Sequence, residues 1–564
     1  MLMARVQVLR HTRPGARAPA TVNHTQPLNS NSAFGAVDTR RIMVGIADDT
    51  ARRGESQPLL AANIDVDADA AVARSIARRN AKKLWVVIAC AIFVVAAEFG
   101  FYLSQAPQTA IFEQIICRNH LRVRGIAPPP PNVPDAEDPC KSEFVQGELA
   151  LVLGYKDTFD VLPTLLLSLP YGVLSDHWGR KPVMYLGLVG VVLGEIWVRL
   201  VSLWSNVLPL RMVWLSGLWR VIGGGDQVVV SMALVMIADI FSEEERSTTL
   251  FRIQSCVVLA EIFAAPVSAY FMDFDPWFPF MLGTVLIVIA GIPIVFLPET
   301  LEDAKAKMAS RPNMVSAHPR EDAAPLDKKS VLEEIIRTIR EFKEGTRFIW
   351  TDGNVCLMVL VLFVTMMSRQ STNMLLQYAS KRFHWSIARA SLLISLRGIF
   401  AMVTYLVLMP ALSWIAARYL DLHGKFQDHR FSQWTGVVSV VGFTAMALAP
   451  VPVLLIGGLA ILSMGSSFLV TNRSLATALV LPDHVGTLYS AVTLSQSIGT
   501  VIAGPLFAYL FKLGMHFGDA WMGLPFLQAA LFYVVATVAV WNIRLSRKPS
   551  SSEADEECEA LLSE

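Results

Sequence analysis

The feature that most constrains the fold of this chain is a series of long apolar runs. Each run has about 20 residues, the length of a helix that crosses the hydrocarbon core of a bilayer. About twelve such runs are present, and they begin near Leu84, Phe159, Val183, Val213, Ile253, Phe278, Val355, Leu392, Thr435, Val453, Thr493 and Leu524. Backbone polar groups in lipid must be hydrogen-bonded internally, and the runs lack the alternating pattern of a β-barrel. The sequence therefore predicts an all-α membrane protein with twelve transmembrane helices.

Composition and charge exclude several classes of function. Of the 564 residues, 53% are hydrophobic and only 17% are charged, which is typical of a polytopic membrane protein. The net charge is +1, so nucleic-acid binding is not predicted. All ten histidines lie in predicted tails or loops, and the sequence lacks zinc-type spacing and phosphate-cradling loops. We therefore expect no metal site, no cofactor and no enzymatic activity.

Positive charges next to the apolar runs predict the orientation of the chain. Basic residues precede the first run, follow the second and follow the last: Arg74, Arg78, Arg79, Lys82, Lys83, Arg180, Lys181, Arg544, Arg547 and Lys548. By the positive-inside rule both termini are cytosolic, and the polar residues 1–82 and 546–564 are predicted to be disordered tails. Acidic dileucine patterns end at Leu60 and Leu562, so a vacuolar or endosomal membrane is an alternative to the expected plasma membrane.

The chain is predicted to divide into two halves of six helices. Residues 83–300 would form the first bundle and residues 351–545 the second, joined by a cytosolic loop at 301–350. Within this loop, apolar side chains fall on one face of a predicted amphipathic helix, namely Val331, Ile335, Ile336, Ile339 and Phe342. The order Ala-x-Pro-x-x-Ala-Tyr occurs once in each half, around Pro266 and around Gly504-Pro505, which indicates an internal repeat.

A polar decamer between the second and third runs carries the clearest functional signal. It reads Gly172-Val-Leu-Ser-Asp176-His-Trp-Gly179-Arg180-Lys181 and resembles the signature of the major facilitator superfamily. Further segments are similar to motifs of the same family: Arg220-Val-Ile-Gly-Gly-Gly225, Asp239 to Arg246, and Pro298-Glu-Thr300. The resemblance extends from about Leu84 to Arg544. It implies two pseudo-symmetric six-helix bundles around a central cavity that opens alternately to each side, lined by the first, fourth, seventh and tenth helices.

A narrower resemblance depends on other segments. The loop from Cys117 to Cys140, Gln146-Gly-Glu148 and Pro170-Tyr-Gly172 are similar to fungal facilitator proteins distantly related to the proton-coupled folate transporter group. The two cysteines bracket the loop after the first run, where either a disulfide or two free thiols is compatible with the sequence.

Placing an ionisable side chain in the hydrocarbon core of a bilayer costs free energy. Ionisable residues within the apolar runs are therefore candidate functional positions. Glu98 lies in the first run, and Tyr102 and Gln105 follow it on the same helical face. An intramembrane carboxyl group can exchange a proton as its surroundings change, so Glu98 is a candidate coupling group; a carboxylate neutralised by a structural partner is the alternative. Asp226 with the adjacent Gln227 in the fourth run, and Glu261 in the fifth, are similar candidates.

The second half supplies candidate cations. Arg369, Asn373 and Gln377 share one face of the seventh helix, and Arg397 lies in the eighth. An arginine either holds an anionic substrate or pairs with an acid such as Glu98, and both alternatives stay open. Asn472 in the tenth helix is a candidate gate residue, and Arg220 is expected to be structural.

Together these patterns predict a secondary active transporter that acts as a monomer in the bilayer. It would move a small organic solute by alternating access coupled to protons, with export of a secondary metabolite or xenobiotic favoured. Proton-coupled uptake of an organic anion or vitamin-like solute, or a non-transporting nutrient sensor, are the alternatives.

Overall fold

The computed structural model describes residues 60–125, 138–241, 243–302, 336–337, 340, 346–419, 424–480 and 485–543. Side chains are described from residue 81 onward, except at 243–248, 250–251, 348, 425 and 485–486. All regular secondary structure in these residues is helical. The contacts divide the chain into residues 1–75 and residues 76–564. In the first unit the structure describes only helical backbone from Leu60, and the second unit contains everything discussed below.

In the first half of the chain the helices are α1 (Leu60–Arg124), α2 (Glu143–Trp178), α3 (Arg180–Leu203), α4 (Ser216–Arg220), α5 (Asp226–Ile240), α6 (Glu243–Met272), α7 (Trp277–Ala290) and α8 (Ile292–Phe296). In the second half they are α9 (Arg347–Thr351), α10 (Gly353–Gln370), α11 (Leu375–Arg382), α12 (Ile387–Val403), α13 (Met409–Tyr419), α14 (Gly424–Ala447), α15 (Pro452–Met464), α16 (Phe468–Leu479), α17 (Val485–His516) and α18 (Leu524–Trp541).

Ten helical segments in the described residues are long and apolar enough to cross a membrane. Two predicted spans do not meet that measure, for different reasons. The fourth is divided between α4 and α5, and the ninth, α14, starts with polar residues such as Asp428 and Arg430. Both segments are nevertheless helical and lie at the predicted places in the sequence. The predicted all-α membrane fold is therefore confirmed.

Three consecutive glycines interrupt the fourth span. Gly223, Gly224 and Gly225 all have φ near +80°, a left-handed conformation that costs a residue with a Cβ atom about 1–2 kcal/mol. A Cβ atom on Gly223 would also collide with the backbone of Gly187 in α3. The sequence Gly-Gly-Gly thus permits both the break and the close approach of the two segments.

The two halves meet along two seams. In one, α2 packs on α17, where Gly154 and Gly504 face each other so closely that a Cβ atom on Gly154 would lie 2.6 Å from the Gly504 carbonyl oxygen. Thr158 Oγ1 donates a hydrogen bond to the Val501 carbonyl across this seam at 3.0 Å. In the other seam, α6 packs on α12. Glycine thus allows backbone-to-backbone contact between the halves, as in other tightly packed membrane helices.

The helix α1 begins at Leu60, ahead of the apolar run that starts near Leu84, because Ala-rich sequence with acidic residues followed by arginines favours helix before the membrane is reached. The predicted domain boundaries stay predictions. The predicted amphipathic helix of the central loop and the tail at 546–564 lie almost entirely outside the described residues.

Candidate functional site

A cavity of about 280 Å³ lies between the two halves. The first half contributes side chains from α1, α2 and α3. The second half contributes side chains from α10, α11, α12 and the turn Ser371–Met374 that joins α10 to α11. The lining is Phe101, Tyr102, Ser104, Gln105, Gln108, Thr109, Leu153, Lys156, Asp157, Glu195, Met366, Arg369, Gln370, Thr372, Asn373, Met374, Leu375, Leu376, Ile394 and Arg397. The cavity therefore combines charged, amide and aromatic groups.

The polar stripe of α1 forms one wall. Phe101, Tyr102, Gln105 and Gln108 all line the cavity, since residues three and four apart fall on the same face of a helix. The Tyr102 hydroxyl donates to Glu261 Oε2 on α6 at 3.5 Å. Two of the predicted pathway residues, Tyr102 and Gln105, therefore lie on the cavity wall.

An ion pair joins the halves beside this wall. Arg397 on α12 donates from Nε and Nη2 to Glu261 Oε1 on α6, at 3.0 and 2.6 Å. Its Nη1 also donates to Thr372 Oγ1 at 3.3 Å. The side chain of Glu261 is 13% exposed and that of Arg397 is 32% exposed, so the pair is only partly shielded from solvent. Arg397 therefore pairs with Glu261, and with neither of the acids Glu98 and Asp226 that the sequence suggested.

A buried charge cluster fills the first half behind the cavity. Lys156 Nζ lies 2.8 Å from Asp160 Oδ2, one turn along α2. Arg220 on α4 contacts Asp160 Oδ1 at 3.3 Å and Glu195 Oε1 at 3.3 Å. Glu195 also pairs with Arg199 on the same helix, α3. All five side chains are less than 10% exposed, so their charges are compensated mainly by each other.

Neighbouring groups complete this cluster. Ser216 Oγ donates to Asp160 at 2.7 Å, and the Arg199 guanidinium donates to Ser104 Oγ at 3.0 Å. Arg199 also lies over the ring of Phe280, with its Cζ 4.2 Å from the ring centroid. The cluster therefore fixes α1, α2, α3, α4 and α7 relative to one another. Arg220 lies within this network of ion pairs, and its structural role stays a prediction.

The sequence reasoning missed most of this cluster. It started the second span near Phe159, which left Lys156 and Asp157 outside the membrane, whereas α2 is already buried there. The signal was available in the order Lys156-Asp157-x-x-Asp160 and in Glu195 four residues before Arg199. In both cases, opposite charges one helical turn apart lie within apolar sequence.

Arg369 and Asn373 reach the cavity from the second half. Asn373 Nδ2 donates to Asp157 Oδ2 at 3.3 Å, which is a further link between the halves. The exposed side chain of Arg369 lines the cavity, and its guanidinium makes no hydrogen bond or ion pair with the described residues. The two residues share one face of the seventh helix, as their spacing predicts.

Five predicted pathway residues are not on the cavity wall. Gln377 is 1% exposed, with both amide atoms unpaired, and Asn472 is fully buried, bonded to Ser432 and the Phe468 carbonyl. Asp226 is half-exposed and lies 3.4 Å from Arg220. Gln227 is exposed, and Glu98 is half-buried one turn before Tyr102. Helical periodicity indicates which residues share a face of a helix, but it does not indicate which part of that face borders the cavity.

The signature decamer forms a separate polar cluster at the opposite end of the bundles from the loop cysteines. Arg180 Nη1 lies 2.5 Å from Asp176 Oδ1, and its Nε lies 3.6 Å from Asp239 Oδ2. Glu299 accepts the backbone N–H groups of Arg180 at 2.9 Å and Lys181 at 3.2 Å. A carboxylate at the start of α3 is favoured by the helix dipole. The decamer, Asp239 and the Pro-Glu-Thr segment thus act as one unit.

Glycine is required at one position of this unit. Gly179 has φ of +104°, and a Cβ atom there would lie 2.5 Å from Glu299 Oε2. Gly172, in contrast, has open space around it. Among the other predicted motif residues, Gly504 lies in the seam with Gly154, Pro266 is exposed on α6 and Pro505 is half-buried on α17. The side chain of Arg246 is outside the described residues.

At the other end, the structure joins Cys117 and Cys140 by a disulfide. The adjacent Lys141 is buried, and its Nζ donates to Glu113 at 2.5 Å and to Ser380 Oγ at 2.6 Å. Ser380 belongs to α11, so Lys141 connects the loop after α1 to the second half. Seams and polar links therefore hold the halves together at mid-depth and towards the disulfide end.

The chemistry available in the cavity is binding and ion pairing. No group of three or more His, Cys, Asp or Glu residues within the described ranges is arranged to hold a metal ion. A cavity between two helical bundles, with an ion pair across it, is suited to alternate exposure of a solute.

Comparison with known proteins identifies the family. The family model described as Major Facilitator Superfamily matches residues 149–419 and 358–561. The chain is 35% identical over 485 residues to MFS-type transporter avaK of Aspergillus versicolor, covering 86% of this chain and 97% of that protein. Efflux pump ustT of Aspergillus flavus is 33% identical, with 82% of this chain and 89% of that protein covered. MFS efflux pump atnC of Emericella nidulans is 31% identical, with 87% and 93% covered.

Solved structures show the same fold. The nucleoside transporter NupG is 11% identical with a TM-score of 0.54, covering 80% of this chain and 100% of that chain. The D-xylose-proton symporter is 12% identical with a TM-score of 0.51, covering 81% and 98%. These likenesses concern the fold alone. The family match and the fungal relatives above 30% identity extend over most of the chain, and this multi-pass integral membrane protein therefore belongs to the major facilitator superfamily of transporters.

Proposed function

We propose that the protein is a proton-coupled exporter of a small organic solute, working by alternating access in the plasma membrane with both termini in the cytosol. The Glu261–Arg397 ion pair is the observation that carries the proposal, because it links the two halves directly beside the cavity. The direction of transport is supported by the relatives named efflux pumps.

The ion pair offers a way to couple proton binding to movement. Protonation of Glu261 removes its negative charge and, with it, the attraction to Arg397. An interaction that exists in only one of two conformations sets the balance between them, so its loss favours separation of α6 from α12. Proton binding would thereby release the seam and let the cavity open towards the disulfide end.

Glu98 is the second candidate for the coupling group. It is half-buried, and in the described part of the chain it has no hydrogen-bond or salt-bridge partner. The charges that act most strongly on it are those of Asp226 and Glu261, both negative. A proton on Glu98 would relieve this repulsion without breaking the link between the halves, so the two candidates predict different behaviour in variants.

Flux into proteoliposomes tests the proposal. The purified protein is reconstituted, a pH gradient is imposed, and the movement of aromatic solutes of each charge is followed, with fluorescein as the anion and rhodamine 6G as the cation. The pH gradient is expected to accelerate flux in the wild type. In Glu261→Gln, downhill flux should persist while the acceleration is lost, because glutamine cannot exchange a proton.

Matched variants show whether Glu261 or Glu98 is the coupling group. Glu148→Gln removes a carboxylate that pairs with Arg211 at 2.8 Å outside the cavity, and this control should keep the acceleration. Loss of acceleration in Glu98→Gln alone would transfer the coupling role to Glu98. If the wild-type flux does not change with the pH gradient, proton coupling is refuted and facilitated transport remains. If no flux depends on the protein, the proposed function is refuted.

A further inference from the structure

We propose that the cavity selects organic anions, and that Arg369 is the residue that binds their negatively charged group. This inference rests on the proposed function and adds the chemical class of the solute. It is carried by the balance of charge around the cavity, which leaves the Arg369 guanidinium without an acidic partner among the residues that the structure describes.

The charges on the first-half wall compensate each other. Each cation of the buried cluster has an acid beside it: Lys156 pairs with Asp160, Arg199 pairs with Glu195, and Arg220 contacts Asp160, Glu195 and the half-exposed Asp226. Asp157 lies beside Lys156 in sequence and accepts a hydrogen bond from Asn373. Since every cation of this cluster is paired with an acid, none of them is left to bind an anionic solute.

The second half carries an excess of positive charge. Arg397 is neutralised by Glu261, but Arg369 has no acidic partner among the described residues. Arg473 on α16 donates to the neutral Gln496 Oε1 at 2.9 Å and is close enough to Arg369 for electrostatic repulsion between them. An anion at Arg369 would relieve this repulsion, and a cation would increase it.

The geometry of Arg369 suits a carboxylate, sulfonate or phosphate group. A guanidinium presents donors in a planar fork that matches two oxygens of such a group. The acids that would compete for this position, Glu98 and Asp226, are not on the cavity wall. The part of the cavity that Arg369 lines is therefore free to bind an anionic ligand.

The rest of the wall is suited to a small aromatic body. The rings of Phe101 and Tyr102 lie on the α1 face, and the side-chain amides of Gln105 and Gln108 lie beside them. The volume of about 280 Å³ is at the lower end of the range for small-molecule pockets. We infer that the solute is a compact aromatic anion and not a large amphipathic cation.

Binding of a matched series of ligands tests this inference. The purified full-length protein is titrated with 2-naphthoate, 2-naphthalenesulfonate, the neutral 2-naphthamide and the cationic 2-naphthylmethylammonium, and the rise in melting temperature gives each Kd. The two anions should bind at least about tenfold more tightly than the neutral amide, as expected for a charged hydrogen-bond partner. The cation should bind most weakly.

Substitutions of Arg369 test whether this residue causes the preference for anions. Arg369→Gln should weaken anion binding by roughly 10- to 100-fold and leave the amide unchanged, while Arg369→Lys should keep part of the preference. Arg382→Gln is the matched control, because Arg382 lies at the end of α11 and donates to the Asp519 carbonyl, away from the cavity. A monodisperse gel-filtration profile of each variant verifies that it is folded.

The outcomes distinguish this inference from the proposed function. Equal affinity for the anions and the amide, a preference for the cation, or unchanged anion binding in Arg369→Gln would each overturn the anion inference. So would the absence of binding by all four ligands. If flux of rhodamine 6G still responds to the pH gradient, the exporter proposal stands while the anion inference fails.

Discussion

The contact between Gly154 and Gly504 allows a quantitative test of alternating access. Gly154→Ala places a methyl group 2.6 Å from the Gly504 carbonyl oxygen, well inside van der Waals contact. Overpacking of this kind costs about 1–3 kcal/mol, and the cost applies only while the α2–α17 seam is closed. The equilibrium should therefore shift by about 5- to 150-fold towards the conformation that is open at the disulfide end.

Accessibility of a reporter cysteine measures this shift. Gln108→Cys places a thiol on the cavity wall, in a background that lacks the cysteines outside the disulfide. A membrane-impermeant maleimide is added to intact cells, in which the disulfide end is predicted to face the medium. Gly154→Ala should raise the labelling rate in proportion to the open fraction.

A glycine with space around it provides the control. Gly457→Ala makes the same substitution in a helix of the second half, where no heavy atom lies within 4 Å of the added carbon. Its labelling rate should equal that of the reporter alone. If Gly154→Ala labels no faster than this control while folding normally, then the seam does not separate during transport and the mechanism proposed here is refuted.

Three further predictions concern stability. Glu195→Gln leaves Arg199 and Arg220 without their shared carboxylate, which should lower the free energy of unfolding by about 3–5 kcal/mol. This loss should be seen as a lower melting temperature in detergent, and an unchanged melting temperature would contradict the role of the cluster. Gly223→Ala forces a Cβ atom into a left-handed backbone against Gly187, and gel filtration should show loss of folded protein, whereas a normal yield would contradict the strained break. Replacing both cysteines of the disulfide, which are 23 residues apart, by serine should cost about 3 kcal/mol in the loop-entropy picture, seen as a lower melting temperature that reductant no longer changes.

The family and the helical class could be predicted because their signals are local. Apolar length is read directly from the chain, and the signature decamer depends on residues within a single loop. The prediction of a major facilitator fold is confirmed by the family match. The predictions for individual pathway residues were less complete. Tyr102, Gln105, Arg369, Asn373 and Arg397 line the cavity, whereas the others chosen by the same reasoning lie elsewhere.

The missing information was the rotation and depth of each helix. A mid-span charge looks the same in sequence whether it faces the cavity, a neighbouring helix or the end of the bundle. Lys156 was overlooked because the predicted apolar run begins after it, near Phe159, although a lysine that is paired with Asp160 can be buried within the membrane-spanning helix. Only the packing of α2 against its neighbours reveals this.

The sequence by itself determined that the chain crosses the membrane as helices, that it has two related halves, and that its polar loop belongs to a known transporter signature. These properties follow from hydrophobic length and short-range order. The tertiary structure alone decided which charged and polar side chains meet. Glu261 and Arg397 are 136 residues apart, and Lys141 and Ser380 are 239 apart. Their pairing depends on how the bundles pack, and that same packing leaves Arg369 facing the cavity with no acidic partner in the described part of the chain.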